Sequence, residues 1–229
     1  KQFLMDERVL DMPAPLRRIL VSGVILPFRP RHSAAAYRSI WWNEGSPLVV
    51  LSQRLAEALR TEMDTPVALG MRYGNPSIDE AVQTLQAAGA PRLLLVPLFP
   101  HYAMSTVQST VEETKRVLAR SKTGATLSIL PPFYREPAYI DALVKSAAPY
   151  LAQGYDHLLF SYHGLPERHL RKTDPTGSYC LSGESCCATP SPAHSFCYRH
   201  QALETTRLFV EQVGIPAGRS SIAFQSRLG

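Results

Sequence analysis

Residues 157–166 read HLLFSYHGLP. A short apolar run, His157–Phe160, leads into a histidine, and Gly164 and Pro166 then turn the chain away. An apolar run this brief, bounded by turn residues, predicts a buried strand over His157–Ser161. It leaves His163 at the strand's carboxyl end. The same grammar recurs on either side. Pro66–Met71, Leu93–Val96, Ala125–Leu130 and Ser221–Phe224 read as further strands. Between them, Thr106–Ala119, Pro137–Leu151 and Tyr198–Val213 carry helical periodicity. Strands separated by helical stretches of about a dozen residues imply crossover connections and parallel sheets. The expected fold class is therefore α/β.

Helix starts support this reading. Ser46-Pro47 looks like an N-cap with proline at the first helical position, and Leu51, Leu55 and Leu59 follow on one face. Ser77 and Glu80 have capping-box spacing, with Gly89 as the stop. The double proline Pro131-Pro132 suggests a boundary between two α/β lobes, 1–130 and 131–229. The segment 172–197 breaks the rhythm. It is rich in Gly, Ser, Pro, Thr and Cys without a period, and a loop of that length usually has a function or a staple.

Composition is ordinary for a globular chain: 229 residues, 45% hydrophobic, 19% charged, net charge +5. Lys and Arg are scattered, which argues against a nucleic-acid footprint. The apolar run Ile19–Leu26 is too short to span a bilayer, which takes about 20 residues. Acidic Asp6, Glu7 and Asp11 ahead of it argue against a signal peptide. It reads as a packed helix or as an apolar lip beside a pocket or membrane. The chain opens on Lys1 and closes just after a strand-like run, so we expect a piece of a longer protein.

Ligands of open parallel sheets sit outside the carboxyl ends of the strands. Three such ends carry polar residues: Met71–Pro76, Pro97–Thr106 and Ser161–Pro166. His163 is the leading candidate, because the turn behind it leaves it at the ligand edge. His101 is closer to a structural histidine. Phe99, Tyr73 and Tyr102 suit a core as well as a pocket, and Arg72 suits either an anionic ligand or a nearby carboxylate. There is no glycine-rich phosphate loop. His169 is expected at the surface. All four cysteines fall between 180 and 197, as Cys180-x5-Cys186-Cys187-x9-Cys197. Such clustering suits a structural zinc or an iron–sulfur cluster, with disulfides a third option.

Several stretches together resemble the ferrochelatase family, which inserts ferrous iron into a porphyrin to make haem. They are DERVLDMPAPLRRIL (6–20) with GVILPFRPRHSAAAYRSIW (23–41), GSPL (45–48), MRYGNPSIDEA (71–81), LLVPLFPHYAMSTVQST (94–110), SYHGLPERH (161–169) and FQSRLG (224–229). The resemblance runs through the whole chain in order. It implies two Rossmann-like lobes with a porphyrin cleft between them. It implies that His163 is essential for metal insertion and meets the Fe²⁺ substrate, and that Arg72, Tyr73, Phe99, His101, Tyr102 and Ser105 line the pocket. It implies an apolar lip at Ile19–Phe28 that touches the membrane in some members, in a chain otherwise expected in the cytoplasm at the inner membrane. The family's first strand and an acidic residue opposite the histidine are expected outside this chain. Some bacterial members resemble it in carrying an internal four-cysteine segment, which implies a [2Fe-2S] cluster on Cys180, Cys186, Cys187 and Cys197, with zinc as the alternative. The competing readings are a chelatase for coproporphyrin, cobalt or nickel, and a non-catalytic redox or metal-sensing module.

Insertion removes two pyrrole N–H protons and strips water from a divalent ion. A neutral imidazole suits both tasks, since it accepts protons near neutral pH and binds first-row metals.

Overall fold

The structure is a computed structural model, and it describes residues 1–28, 30–121 and 124–225. The last four residues of the FQSRLG motif, 226–229, lie outside the described residues. In chain order the elements are α1 (Gln2–Met5), α2 (Ala14–Ile19), a π-helical stretch (Leu20–Ile25), α3 (Leu26–Phe28), α4 (Pro30–Arg38), α5 (Pro47–Glu62), α6 (Ile78–Ala87) and β1 (Arg92–Leu95). A π turn (Met104–Gln108), α7 (Ser109–Ser121), β2 (Thr126–Ile129), α8 (Pro137–Leu151), β3 (Leu158–His163) and α9 (Glu167–Thr173) follow. Two 3₁₀ turns (Glu184–Cys187 and Pro192–Phe196), α10 (Tyr198–Val213) and β4 (Ser220–Gln225) complete the described chain. It is a mixed α/β chain with parallel sheets. It divides into two compact units. One comprises Lys1–Leu95 and Gln108–Ile129, the other Val96–Val107 and Leu130–Gly229.

In the first unit, β1 and β2 pair in parallel, from Arg92 opposite Thr126 to Leu95 opposite Ile129. α6 starts on the expected capping box. The Ser77 hydroxyl accepts from the Glu80 amide at 3.1 Å, and the Glu80 carboxylate accepts from the Ser77 amide at 2.6 Å. Two otherwise orphaned N–H groups are satisfied, an arrangement worth about 1 kcal/mol. Ile78 and Val82 of α6 then bury against Val117 of α7, with Leu118 packed on the cluster. Pro66–Met71, expected as a strand, forms no ladder. Its one pairing is an isolated bridge from Met71 to Ser77, with the Met71 amide on the Pro76 carbonyl at 2.7 Å. A strand needs a neighbour for its alternate N–H and C=O groups, and this segment meets none among the described residues.

In the second unit, β3 and β4 pair in parallel along their whole lengths, ending with His163 opposite Gln225. β3 alternates. Leu158, Phe160 and Tyr162 are half-buried, whereas Leu159, Ser161 and His163 are exposed. The inward face meets α10: the Phe160 ring lies edge-on to Phe209 at 5.4 Å, and the Tyr162 hydroxyl bonds Thr206 at 2.8 Å. Phe209 is 5% exposed, and burying such a side chain stabilises by about 2–3 kcal/mol. The strand expected to be buried thus buries one face only, and it runs on to His163 instead of stopping at Ser161. α10 ends at Gly214, whose left-handed φ of 73° lets its amide reach the Val210 carbonyl, as a helix stop requires. His169, expected at the surface, is buried at 3% exposure on the inward face of α9.

Candidate functional site

Arg72 and Tyr73 follow the extended Pro66–Met71 segment in the first unit. There a single carboxylate gathers them. Asp6 Oδ2 accepts from Arg72 Nη2 at 2.6 Å, from the Tyr73 hydroxyl at 2.9 Å and from the Ser109 hydroxyl, while Oδ1 accepts from the Arg8 amide at 2.9 Å. Arg72 Nε donates to the Ser109 hydroxyl at 2.7 Å, and its guanidinium lies 4.3 Å from the centre of the Tyr73 ring. Burial alone would raise the Asp6 pKa, but these hydrogen bonds and the Arg72 charge outweigh it and hold it below the ordinary value. The charges compensate internally, and Asp6 is 66 residues from Arg72 in sequence.

The remaining candidates stand in the second unit. His163 ends β3 and is exposed, and its imidazole makes no hydrogen bond among the described residues. Its backbone is fixed: β3 pairs with β4 up to His163 opposite Gln225, and the Gly164 amide bonds the Gln225 carbonyl at 2.7 Å. His101 is different. Its Nε2 lies 2.9 Å from Thr205 Oγ1, and that hydroxyl donates to the Tyr134 carbonyl at 2.7 Å. A hydroxyl has one proton to give, so His101 Nε2 carries the hydrogen and donates. Burial pushes the His101 pKa down to about 4, which keeps the ring neutral. Its ring also stands edge-on to Tyr162 and Tyr198, at 5.6 and 5.8 Å. Tyr102 packs edge-on against Phe196 at 5.0 Å, Phe99 is exposed, and Ser105 is half-buried in the π turn.

The cysteine segment folds onto the same unit. Asp174 organises its entry: Oδ1 accepts from the Thr176 amide and hydroxyl, and Oδ2 from the amides of Tyr179 and Cys180 at 2.7 and 2.8 Å. Burial opposes ionisation, yet these bonds, that from Cys180 foremost, pull its pKa down to about 2. Cys180, Cys186, Cys187 and Cys197 form one buried cluster with Ala193, and the sulfurs of Cys186 and Cys187 are 4.0 Å apart. Cys197 is the thiol whose pKa is lowered. Hydrogen bonds from the Cys187 thiol and the His200 amide bring its pKa down to about 6, against the cost of burial. Cys180 is pushed up to about 12 by burial and by its Cys197 neighbour, and Cys187 is raised by its bond to Cys197. The rings of His194 and His200 stack at 3.6 Å, each with a nitrogen on a cysteine carbonyl, those of Cys186 and Cys187 at 2.9 and 2.7 Å.

The family model for ferrochelatase matches residues 1–229. The chain belongs to the ferrochelatase family. It is 55% identical to the ferrochelatase of Pseudomonas fluorescens (strain Pf0-1) and 55% to that of Ectopseudomonas mendocina (strain ymp), covering 100% of this chain and 67% of each relative. It is 53% identical to the ferrochelatase of Azotobacter vinelandii, again over 100% of this chain and 68% of the relative. About a third of each relative's length therefore has no counterpart here.

For a ferrochelatase chain the four-cysteine pocket invites a test of fit. Four buried thiols gather in one cluster, and one of them has a lowered pKa. That donor set fits a thiolate-bound centre, whose ligands must lose their protons on loading. Among the described residues no group of three or more His, Cys, Asp or Glu side chains is set at metal-holding spacing.

Asp6, Ser109, Thr205 and Asp174 help to build these sites and were not expected from the sequence. Asp174 begins an Asp-Pro-Thr-Gly stretch, whose turn chemistry is a usable signal. Asp6, Ser109 and Thr205 carry none, because the side chains they bind are distant in sequence.

Proposed function

We propose that this chain carries the iron-insertion chemistry of a ferrochelatase, placing ferrous iron in protoporphyrin IX, with His163 as proton acceptor. The family match over residues 1–229 carries the activity. The exposed imidazole on a fixed strand end supports the role of His163. Insertion exchanges two pyrrole N–H bonds for Fe–N bonds and releases two protons. His163 accepts the two pyrrole protons in turn at its free imidazole nitrogen, passing the first to solvent before it takes the second. Because the β4 pairing and the Gly164 amide hold the strand end, the ring meets the macrocycle without reordering the main chain.

Phe99, Tyr102 and Ser105 serve as wall residues of the porphyrin site, and His101 as the neutral post behind them. Arg72 and Tyr73 anchor the Asp6 segment; with Nη2 and Nε already engaged, Arg72 is a poor propionate ligand. Leu16, Ile19, Val24 and Phe28, all more than half exposed, suit a lip that rests on the inner membrane from the cytoplasmic side. None of the described helices is long and apolar enough to cross a membrane. Cys180, Cys186, Cys187 and Cys197 would hold a [2Fe-2S] cluster. Such a cluster, when bound, supplies a one-electron couple, and proton removal at the porphyrin does not draw on it.

The test is a metallation assay of the full-length enzyme with Fe²⁺, Co²⁺ and Zn²⁺ against protoporphyrin and coproporphyrin. Fastest turnover is expected with Fe²⁺ and protoporphyrin; preference for coproporphyrin or cobalt overturns the assignment. Purified protein should absorb between about 400 and 600 nm, as thiolate-bound iron–sulfur clusters do. Stoichiometric zinc without that absorption overturns the cluster.

A further inference from the structure

Gln201 lies in the first turn of α10, is fully buried, and touches two segments that sequence separates widely. Its Nε2 donates to the carbonyls of His194 and Ser195, both at 3.0 Å. Its Oε1 accepts from the Tyr102 amide at 2.7 Å. The carbonyls need a donor and the amide an acceptor, so only one orientation of the side-chain amide satisfies all three. One end of Gln201 thus holds the exit of the cysteine segment, two residues before Cys197. The other holds the loop that carries His101, Tyr102 and Ser105.

A second contact runs beside the first. Phe196, between Ser195 and Cys197, packs edge-on against the Tyr102 ring at 5.0 Å. The Phe196 carbonyl also accepts from the Thr173 hydroxyl at the end of α9, the helix that follows His163 and its turn. The neighbouring carbonyls of Cys186 and Cys187 are pinned by the stacked His194 and His200. A change in the spacing of the four sulfurs therefore reaches the 194–197 carbonyls within a few bonds. A fully satisfied buried network of this kind does not deform smoothly, because each broken bond leaves an unpaired polar group.

We propose that Gln201 is a positioning residue that couples the state of the four-cysteine pocket to the order of the 101–105 loop, and through it to porphyrin binding. This rests on the reading of that loop as porphyrin wall and of the cysteines as a metal pocket. When the pocket is intact, the His194 and Ser195 carbonyls orient the Gln201 amide, which fixes the Tyr102 backbone. When the pocket is emptied, the 194–197 turn relaxes, Gln201 loses its orientation, and Tyr102 loses its acceptor.

The experiment measures amide hydrogen exchange over residues 100–106 and protoporphyrin affinity by fluorescence, in the full-length protein. Parent, Gln201→Leu and Gln201→Glu are each measured before and after the pocket is disturbed. Disturbance means chelation of the bound metal, or alkylation of the thiols if the purified protein carries none. In the parent, disturbance should speed exchange at Tyr102 about tenfold, the loss of one buried hydrogen bond, and weaken porphyrin binding. In Gln201→Leu exchange should be fast from the start and insensitive to the pocket. Gln201→Glu sets an acceptor against the same two carbonyls, so it too should exchange fast from the start and no longer respond. If Gln201→Leu does not fold, the parent and Gln201→Glu still decide the matter. No response in the parent, or an equal response in every variant, overturns the coupling. Metal analysis and porphyrin titration of the undisturbed parent report separately on the two underlying readings.

Discussion

His101 and His163 sit in the same unit, both in loops or strand ends that the sequence marked as ligand-facing, yet they are built for opposite purposes. His101 is largely buried, its Nε2 proton is committed to Thr205, and two tyrosine rings close around it. His163 has a fixed backbone and an uncommitted, exposed ring. A histidine's position in the fold nominates it, whereas the inventory of its nitrogens decides its work. A ring with its proton already placed and its pKa near 4 is a poor base at neutral pH. The Asp6–Arg72 knot makes the same point for a cation that sequence alone offered to a ligand.

The comparison can be broken in graded ways. Asp6→Ala leaves Arg72 without its carboxylate in a partly buried site. Chemical denaturation should show a loss of about 3 kcal/mol, the cost of orphaning one member of a buried pair. A loss near zero would return Arg72 to the list of ligand residues.

Thr205→Val removes the hydroxyl that both accepts from His101 and donates to Tyr134. Stability should fall by about 2 kcal/mol through two unsatisfied groups, and porphyrin affinity should change less than for a substitution of Tyr102. Acid should act through the same residue. His101 titrates near 4 in the fold and at the ordinary 6.5 in an open chain, so the unfolded state takes up the proton first. Its contribution is complete above pH 6.5 and is lost as pH falls toward 4, by about 2–3 kcal/mol. Denaturation midpoints measured across that window should show the fall, and His101→Asn should flatten it. Asp6 and Asp174, whose pKa values are lowered, add their losses at still lower pH. The smallest effect is expected far from either histidine: Ser77→Ala should cost about 1 kcal/mol through the lost helix cap, with turnover unchanged.

Much of the fold was legible because its signals are local. Proline at the start of Pro137–Leu151, and the apolar period of Tyr198–Val213, give α8 and α10 their observed bounds. The Ser77–Glu80 box is a four-residue pattern and appears as written. Pro66–Met71 misled because its apolar composition is local, whereas a strand's existence depends on a neighbour elsewhere in the chain. Leu159 misled for a related reason: composition cannot tell a strand buried on two faces from one packed against a single helix. The site followed the same division. Cysteine clustering pointed to a zinc or iron–sulfur site or to disulfides, and the structure gathers the four as free thiols in one buried cluster. The partners that commit Arg72 and His101 stand 66 and 104 residues away, beyond any local pattern. His169 looked like a surface residue because it precedes a polar loop, but its helix turns it inward.

The most direct test compares His163→Ala with His101→Asn in the full-length enzyme, measuring iron insertion and porphyrin affinity on the same samples. His163→Ala should keep porphyrin affinity and lose at least about 100-fold in turnover, the usual contribution of a positioned acid or base. His101→Asn should lose thermal stability and retain most of its turnover per folded molecule. Near-normal turnover in His163→Ala, or a larger catalytic loss in His101→Asn, would contradict the assignment of the working histidine.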